Sequence, residues 1–146
     1  MRRAFGVGVI LLLAGLVMPS QVAGQTTDPQ DRDSGFRLGQ NYPNPFNPET
    51  RIPFRLEESL FENGQPVRVT LRIYNVLQQL VAIPTALNHP QGNGVPVNQL
   101  EYDAPGDKVA FWDGRDTNGR EVASGIYYMQ LIVNGHSVVR RMIVAK

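Results

Sequence analysis

The stretch Val67-Arg68-Val69-Thr70-Leu71-Arg72-Ile73 decides the fold. Apolar and polar residues alternate with a period of two, which puts Val67, Val69, Leu71 and Ile73 on one face and Arg68, Thr70 and Arg72 on the other. That is the pattern of a strand with one buried and one wetted side. Upstream, beyond Pro66 and Gly64, Arg51 to Leu56 repeats it with Ile52, Phe54 and Leu56 inward. Pro53 cannot donate to a ladder, so this second strand is expected at a sheet edge. Downstream, a turn near Asn75 to Gln79 leads to a short strand at Leu80 to Ile83.

The last third regains the same period. Lys108 to Trp112 reads as a short strand. Gly125 to Val133 turns Tyr127, Met129, Leu131 and Val133 to one side. Asn134-Gly135 then supplies the two positive-φ positions of a tight hairpin turn, and Ser137 to Ala145 returns as the final strand. Arg140 and Arg141 fall on opposite faces of it, so the pattern leaves its buried face open. Residues 84–107, rich in Asn, Pro and Gly, read mainly as a long loop. About six or seven short strands with closely spaced turns predict an all-β fold, a small antiparallel immunoglobulin-like β-sandwich.

Composition agrees. Fourteen Gly and eleven Pro in 146 residues disfavour a helical bundle. The chain has no Cys, which excludes a disulfide framework, a thiolate nucleophile and a sulfur-based zinc site. With only two His, little is left for imidazole chemistry. No enzyme and no cofactor are expected.

The N-terminus reads as a secretory signal. Met1-Arg2-Arg3 precedes an unbroken run of apolar residues and Gly from Ala4 to Met18, shorter than the roughly 20 residues that cross a bilayer as a stable helix. Small residues at Val22-Ala23-Gly24 place cleavage between Gly24 and Gln25, or one residue earlier. Without Arg2 and Arg3 the 14 basic groups become 12 against 13 acidic ones, a net of −1. The charge argument for binding nucleic acid disappears with the signal. Gln25 to Gly35 is expected to be a disordered spacer, and residues 36–146 to form one domain.

Leu38-Gly39-Gln40-Asn41-Tyr42-Pro43-Asn44-Pro45-Phe46-Asn47-Pro48 places three prolines in six residues. Each fixes its own φ and disfavours helix at the residue before it. The stretch reads as a rigid, extended strap that packs onto a sheet through Leu38, Tyr42 and Phe46, its Asn side chains bonding nearby backbone in Asx-type turns.

Other candidates are weaker. Asp113, Asp116 and Asn118 loosely suggest a calcium loop, but turn chemistry accounts for them and no bidentate Glu follows at the required place. His89 and His136 read as ordinary surface residues in loops. Ser124 lacks the strand–turn–helix frame of a nucleophile elbow. Trp112, with Tyr127 and Tyr128, could form a sugar-binding platform, but core packing is the stronger reading for a large ring in a small β domain.

Taken in order, the strap, Trp112-Asp113-Gly114 with Asp116 and Gly119, Ser124-Gly125-Ile126-Tyr127 and Met142-Ile143-Val144-Ala145-Lys146 resemble the C-terminal sorting domain of type IX secretion (type A). The immunoglobulin-like domain of flagellar hook-capping proteins shares the pattern. The resemblance covers residues 36–146 and implies a β-sandwich that escorts cargo through the outer membrane of Bacteroidota-type bacteria. It implies the translocation machinery and a sortase-like protease as partners, and an outer-membrane surface or extracellular destination reached through the periplasm. Carried over by position, the recognition candidates are Tyr42, Pro43, Asn44, Pro45, Phe46, Asn47 and Pro48 in the strap, then Trp112, Asp113, Gly114, Gly125, Tyr127 and Lys146. Two features depart from the family: only about eleven residues separate the cleavage site from the strap, and the connection between Val81 and Lys108 is long. An adhesion or carbohydrate-binding module using the 84–107 segment is the rival reading, and a hook-capping-like scaffold the third.

Overall fold

The computed structural model describes residues 34–146. The expected signal peptide, its cleavage site at Gly24 and Gln25, and the spacer up to Asp33 lie outside the described residues. Nine strands follow one another: β1 (Phe36–Leu38), β2 (Thr50–Leu56), β3 (Val67–Tyr74), β4 (Leu80–Ala82), β5 (Thr85–Leu87), β6 (Leu100–Tyr102), β7 (Gly106–Trp112), β8 (Gly125–Val133) and β9 (His136–Val144), with a single 3₁₀ turn at Glu58–Phe61 after β2. They form two antiparallel sheets, one ordered β1-β2-β7-β5 and the other β4-β3-β8-β9, with β6 also pairing β3. The all-β immunoglobulin-like sandwich is therefore as expected, with two or three more strands than the sequence pattern discloses.

The period-two segments build the core. Val67, Val69, Leu71 and Ile73 of β3 and Met129, Leu131 and Val133 of β8 are buried across from Ile52, Phe54 and Leu56 of β2. Each such side chain removed from water contributes roughly 1.5–3 kcal/mol, so this interdigitated layer is the main stabilising element. The β8–β9 turn takes the expected form, with φ of 49° at Asn134 and 85° at Gly135.

Two expectations change, and one open question closes. β2 is flanked by β1 and β7, so it is not an edge strand. Pro53 is tolerated because β1 ends at the Leu38↔Phe54 pair, one residue short of it. The Pro53 carbonyl accepts a bond from the Gly39 N–H, so its nitrogen also faces the strap, and no bond to β7 is lost. Residues 84–107 are not mainly loop. β5 pairs β7, β6 pairs β3, and between them Val97 is fully buried. The strands are three residues long, too short for alternation to reveal. The face of β9 is also settled: Met142 and Val144 are buried and Val138 packs against the core.

His89 is a third correction. It is buried rather than superficial, its Nε2 2.8 Å from the Glu101 carbonyl and its Nδ1 accepting the Gln91 N–H, with its ring edge-on to Tyr102. His136 is exposed at the start of β9.

Candidate functional site

The strap crosses from one sheet to the other. It leaves β1, forms a bridge between Tyr42 and Arg51 of β2, and ends in a parallel bridge between Phe46 and Val144 of β9. Between and after these anchors the chain bends, so the strap is kinked rather than extended. A buried polar knot holds the first bend. Asn41 is 2% exposed, and its Nδ2 donates to the Pro43 carbonyl at 3.2 Å and to the Thr50 hydroxyl at 3.1 Å. The Thr50 hydroxyl donates to the same carbonyl at 3.0 Å. Burying these groups is tolerable because each finds a partner.

The strap then reaches the last strand. Phe46 donates its N–H to the Ile143 carbonyl and accepts from the Ala145 N–H, while the Asn44 Oδ1 accepts the Ile143 N–H at 3.0 Å. Asn44 thus caps backbone 99 residues away instead of making the expected local Asx turn. Gln40 donates to the Arg141 carbonyl. Pro45, Asn47, Pro48 and the half-exposed Tyr42 ring face solvent.

Under the strap lies an aromatic row. Phe46 meets Trp112 edge-on with centroids 5.3 Å apart, and Trp112 meets Tyr127 in the same way at 5.9 Å. All three rings are buried, which makes core packing the role of Trp112 and Tyr127; the edge-on contacts add to their burial. Their polar ends are satisfied: Trp112 Nε1 donates to the Arg115 carbonyl, and the Tyr127 hydroxyl to the Ala123 carbonyl. Burial pushes the Tyr127 phenol above its ordinary range.

Gly114 closes the row from below. It is buried with φ +75°, and a Cβ there would collide with the Pro48 carbonyl oxygen. Glycine is the residue that allows the strap and the β7–β8 turn to touch. At Gly125 the demand is conformational alone, because φ is +148° and space around a Cβ would be open. Asp113 and Asp116 each turn an Oδ1 to backbone N–H groups of their own loop, Asp113 to Arg115 and Asp116 to Asn118 and Arg120. This is turn chemistry, and no group of three His, Asp or Glu able to hold a metal occurs among the described residues. Lys146 is tethered through its N–H to the Ser124 hydroxyl and through its ammonium, 3.6 Å away, to Glu121.

The structure therefore brings the strap, Trp112, Gly114, Tyr127 and the chain end into one corner. Thr50 is the participant that sequence reasoning passed over. Its signal was present, since position 50 continues the inward series of Ile52, Phe54 and Leu56 and is its one polar member.

No protein-family model matches the chain, and no curated protein matches it. Among solved structures it is similar to PorZ, an essential bacterial surface component of the type-IX secretion system of human oral-microbiomic Porphyromonas gingivalis, at 18% identity and a TM-score of 0.43 over 77% of this chain and 12% of that one. It is also similar to dimeric latent PorU from Porphyromonas gingivalis, at 19% identity and a TM-score of 0.49 over 75% of this chain and 9% of that one. The chain thus spans about a tenth of the length of either. No helix among the described residues is long and apolar enough to cross a membrane.

Proposed function

We propose that the domain is a non-enzymatic export and surface-targeting module of the type IX sorting kind, read by the secretion machinery at the strap corner. The observation that supports this reading is the convergence of the motifs. Segments around positions 38–48, 112–119, 124–127 and 142–146, which carry the sequence resemblance, are far apart in the chain and adjacent in space. Their buried rings fix the corner, while Tyr42, Pro45 and Asn47 are left on its surface. A receptor that must recognise many cargoes needs a rigid shape that is independent of them, and pre-ordered contacts lower the cost of binding. Catalysis has no part in that role. The partners on this reading are the translocation components and a sortase-like protease, and the destination is the outer-membrane surface or the medium.

The test is to place residues 25–146 behind a periplasmic reporter in a type IX-competent cell. The reporter reaches the surface on this reading. Retention in the periplasm, while an established sorting domain exports the same reporter, overturns it.

A further inference from the structure

β9 is the outermost strand of its sheet, and the strap covers only its end. Ile143 gives its N–H to Asn44 and its carbonyl to Phe46, so its backbone points away from β8. The β8–β9 register is unbroken from Gly125↔Val144 to Val133↔His136. Alternation therefore turns the backbone of Arg141, Val139 and Ser137 outward as well. Gln40 takes the Arg141 carbonyl. The Arg141 N–H and both backbone groups of Val139 and Ser137 have no protein partner among the described residues. β1 lies against β9 without pairing to it.

The side chains flanking this edge specify what it accepts. Val139 is 54% exposed and lines an open groove of about 490 Å³ with Tyr74, Tyr128 and Gln130. Arg141, opposite Tyr128, stands on the same outer face. Arg140 pairs with buried Met129, so it occupies the inner face yet is exposed. No carboxylate of the described residues is within ion-pair distance of either arginine. An arginine on each side of the edge discourages pairing between two copies, which would crowd four cations into one short ladder.

We propose that the Ser137–Arg141 edge accepts an added strand from a partner protein, and that this strand is acidic. Its backbone completes the ladder that Phe46 begins, an apolar residue lies beside Val139, and two successive carboxylates meet Arg140 and Arg141 on opposite faces. This inference rests on the edge alone and is independent of the export reading.

The test uses the intact chain and two strand-length peptides rich in Val and Thr, identical except for a Glu-Glu or a Lys-Lys pair beside a central Val. The Glu peptide is expected to bind, to slow amide exchange at Val139 and Arg141, and to outbind the Lys peptide by about tenfold. Val139→Pro removes an outward N–H that β8 does not use, so it should weaken the Glu peptide by about tenfold while the melting temperature stays nearly constant. Arg140→Glu with Arg141→Glu should reverse the preference between the peptides, which keeps the test decisive if the proline variant fails to fold. Equal binding of both peptides, binding of neither, retained binding by Val139→Pro, or edge protection that grows with protein concentration alone overturns the proposal.

Discussion

The two flanks of the sandwich are closed in the same way but by different chemistry. On one flank the strap leaves the first sheet at the Tyr42↔Arg51 bridge and joins the second at Phe46↔Val144. On the other, the chain leaves β5 in the first sheet, places Val97 between the layers, and enters the second through the Leu71 N–H bond to the Val97 carbonyl and then β6. The strap holds its course with prolines, asparagine side chains and a row of rings. The 84–102 segment holds its course mainly with backbone bonds, including Ala86 to Val95 and Val97 to Pro84. The strap therefore presents a shape set by particular side chains, whereas the opposite flank depends chiefly on its backbone path.

The largest predicted effect tests the row of rings. Trp112→Ala leaves Phe46 and Tyr127 without their shared partner and should cost about 4 kcal/mol in chemical denaturation. Gly114→Ala should follow at about 3 kcal/mol, since it adds a collision with Pro48 to an unfavourable φ. Its diagnostic readout is lost exchange protection at Phe46 and Ala145, while Val97 and Leu71 stay protected. A uniform loss would show that the flanks are not separable. On the opposite side, Val97→Ala should cost about 2 kcal/mol and loosen Leu71 and Ala86 while sparing Ala145.

The smallest effect is absent at neutral pH. Burial pushes the Tyr102 phenol, which sits beside Phe54 and His89, up to about 12. Its ordinary value is about 10, so the unfolded chain ionises first as pH rises. The stabilisation is full below about pH 10 and is lost between about pH 10 and 12. Tyr102→Phe should flatten this alkaline limb of the stability curve and leave a Trp112 or Gly114 variant's deficit unchanged.

What the sequence discloses follows from the same contrast. Val67 to Ile73 and Gly125 to Val133 are long enough for alternation to show, and Asn134-Gly135 has few other uses. The strap is visible because proline fixes φ in any context. The opposite flank is hidden, because β5 and β6 are three residues each and Val97 lies beside Pro96 in a stretch rich in Gly, Asn and Pro, whose composition reads as loop. His89 reads as superficial for a related reason: its hydrogen-bond partners are the backbone of Glu101 and Gln91, which leave no trace in residue identity. Asn44 illustrates the limit on the strap itself. Its type predicts a capping side chain, but the backbone it caps lies on β9 and is set only by the closed fold.

The central claim is that the outer surface of the strap corner is what the export machinery reads. The most direct measurement compares surface display of the reporter fusion for two double substitutions that remove exposed side chains. Tyr42→Ala with Asn47→Ala alters the strap, and Glu62→Ala with Gln65→Ala alters the exposed turn leading into β3. Both variants should melt close to the parent. Loss of display for the strap pair with normal display for the turn pair is the predicted result, and equal display of the two variants would contradict the account.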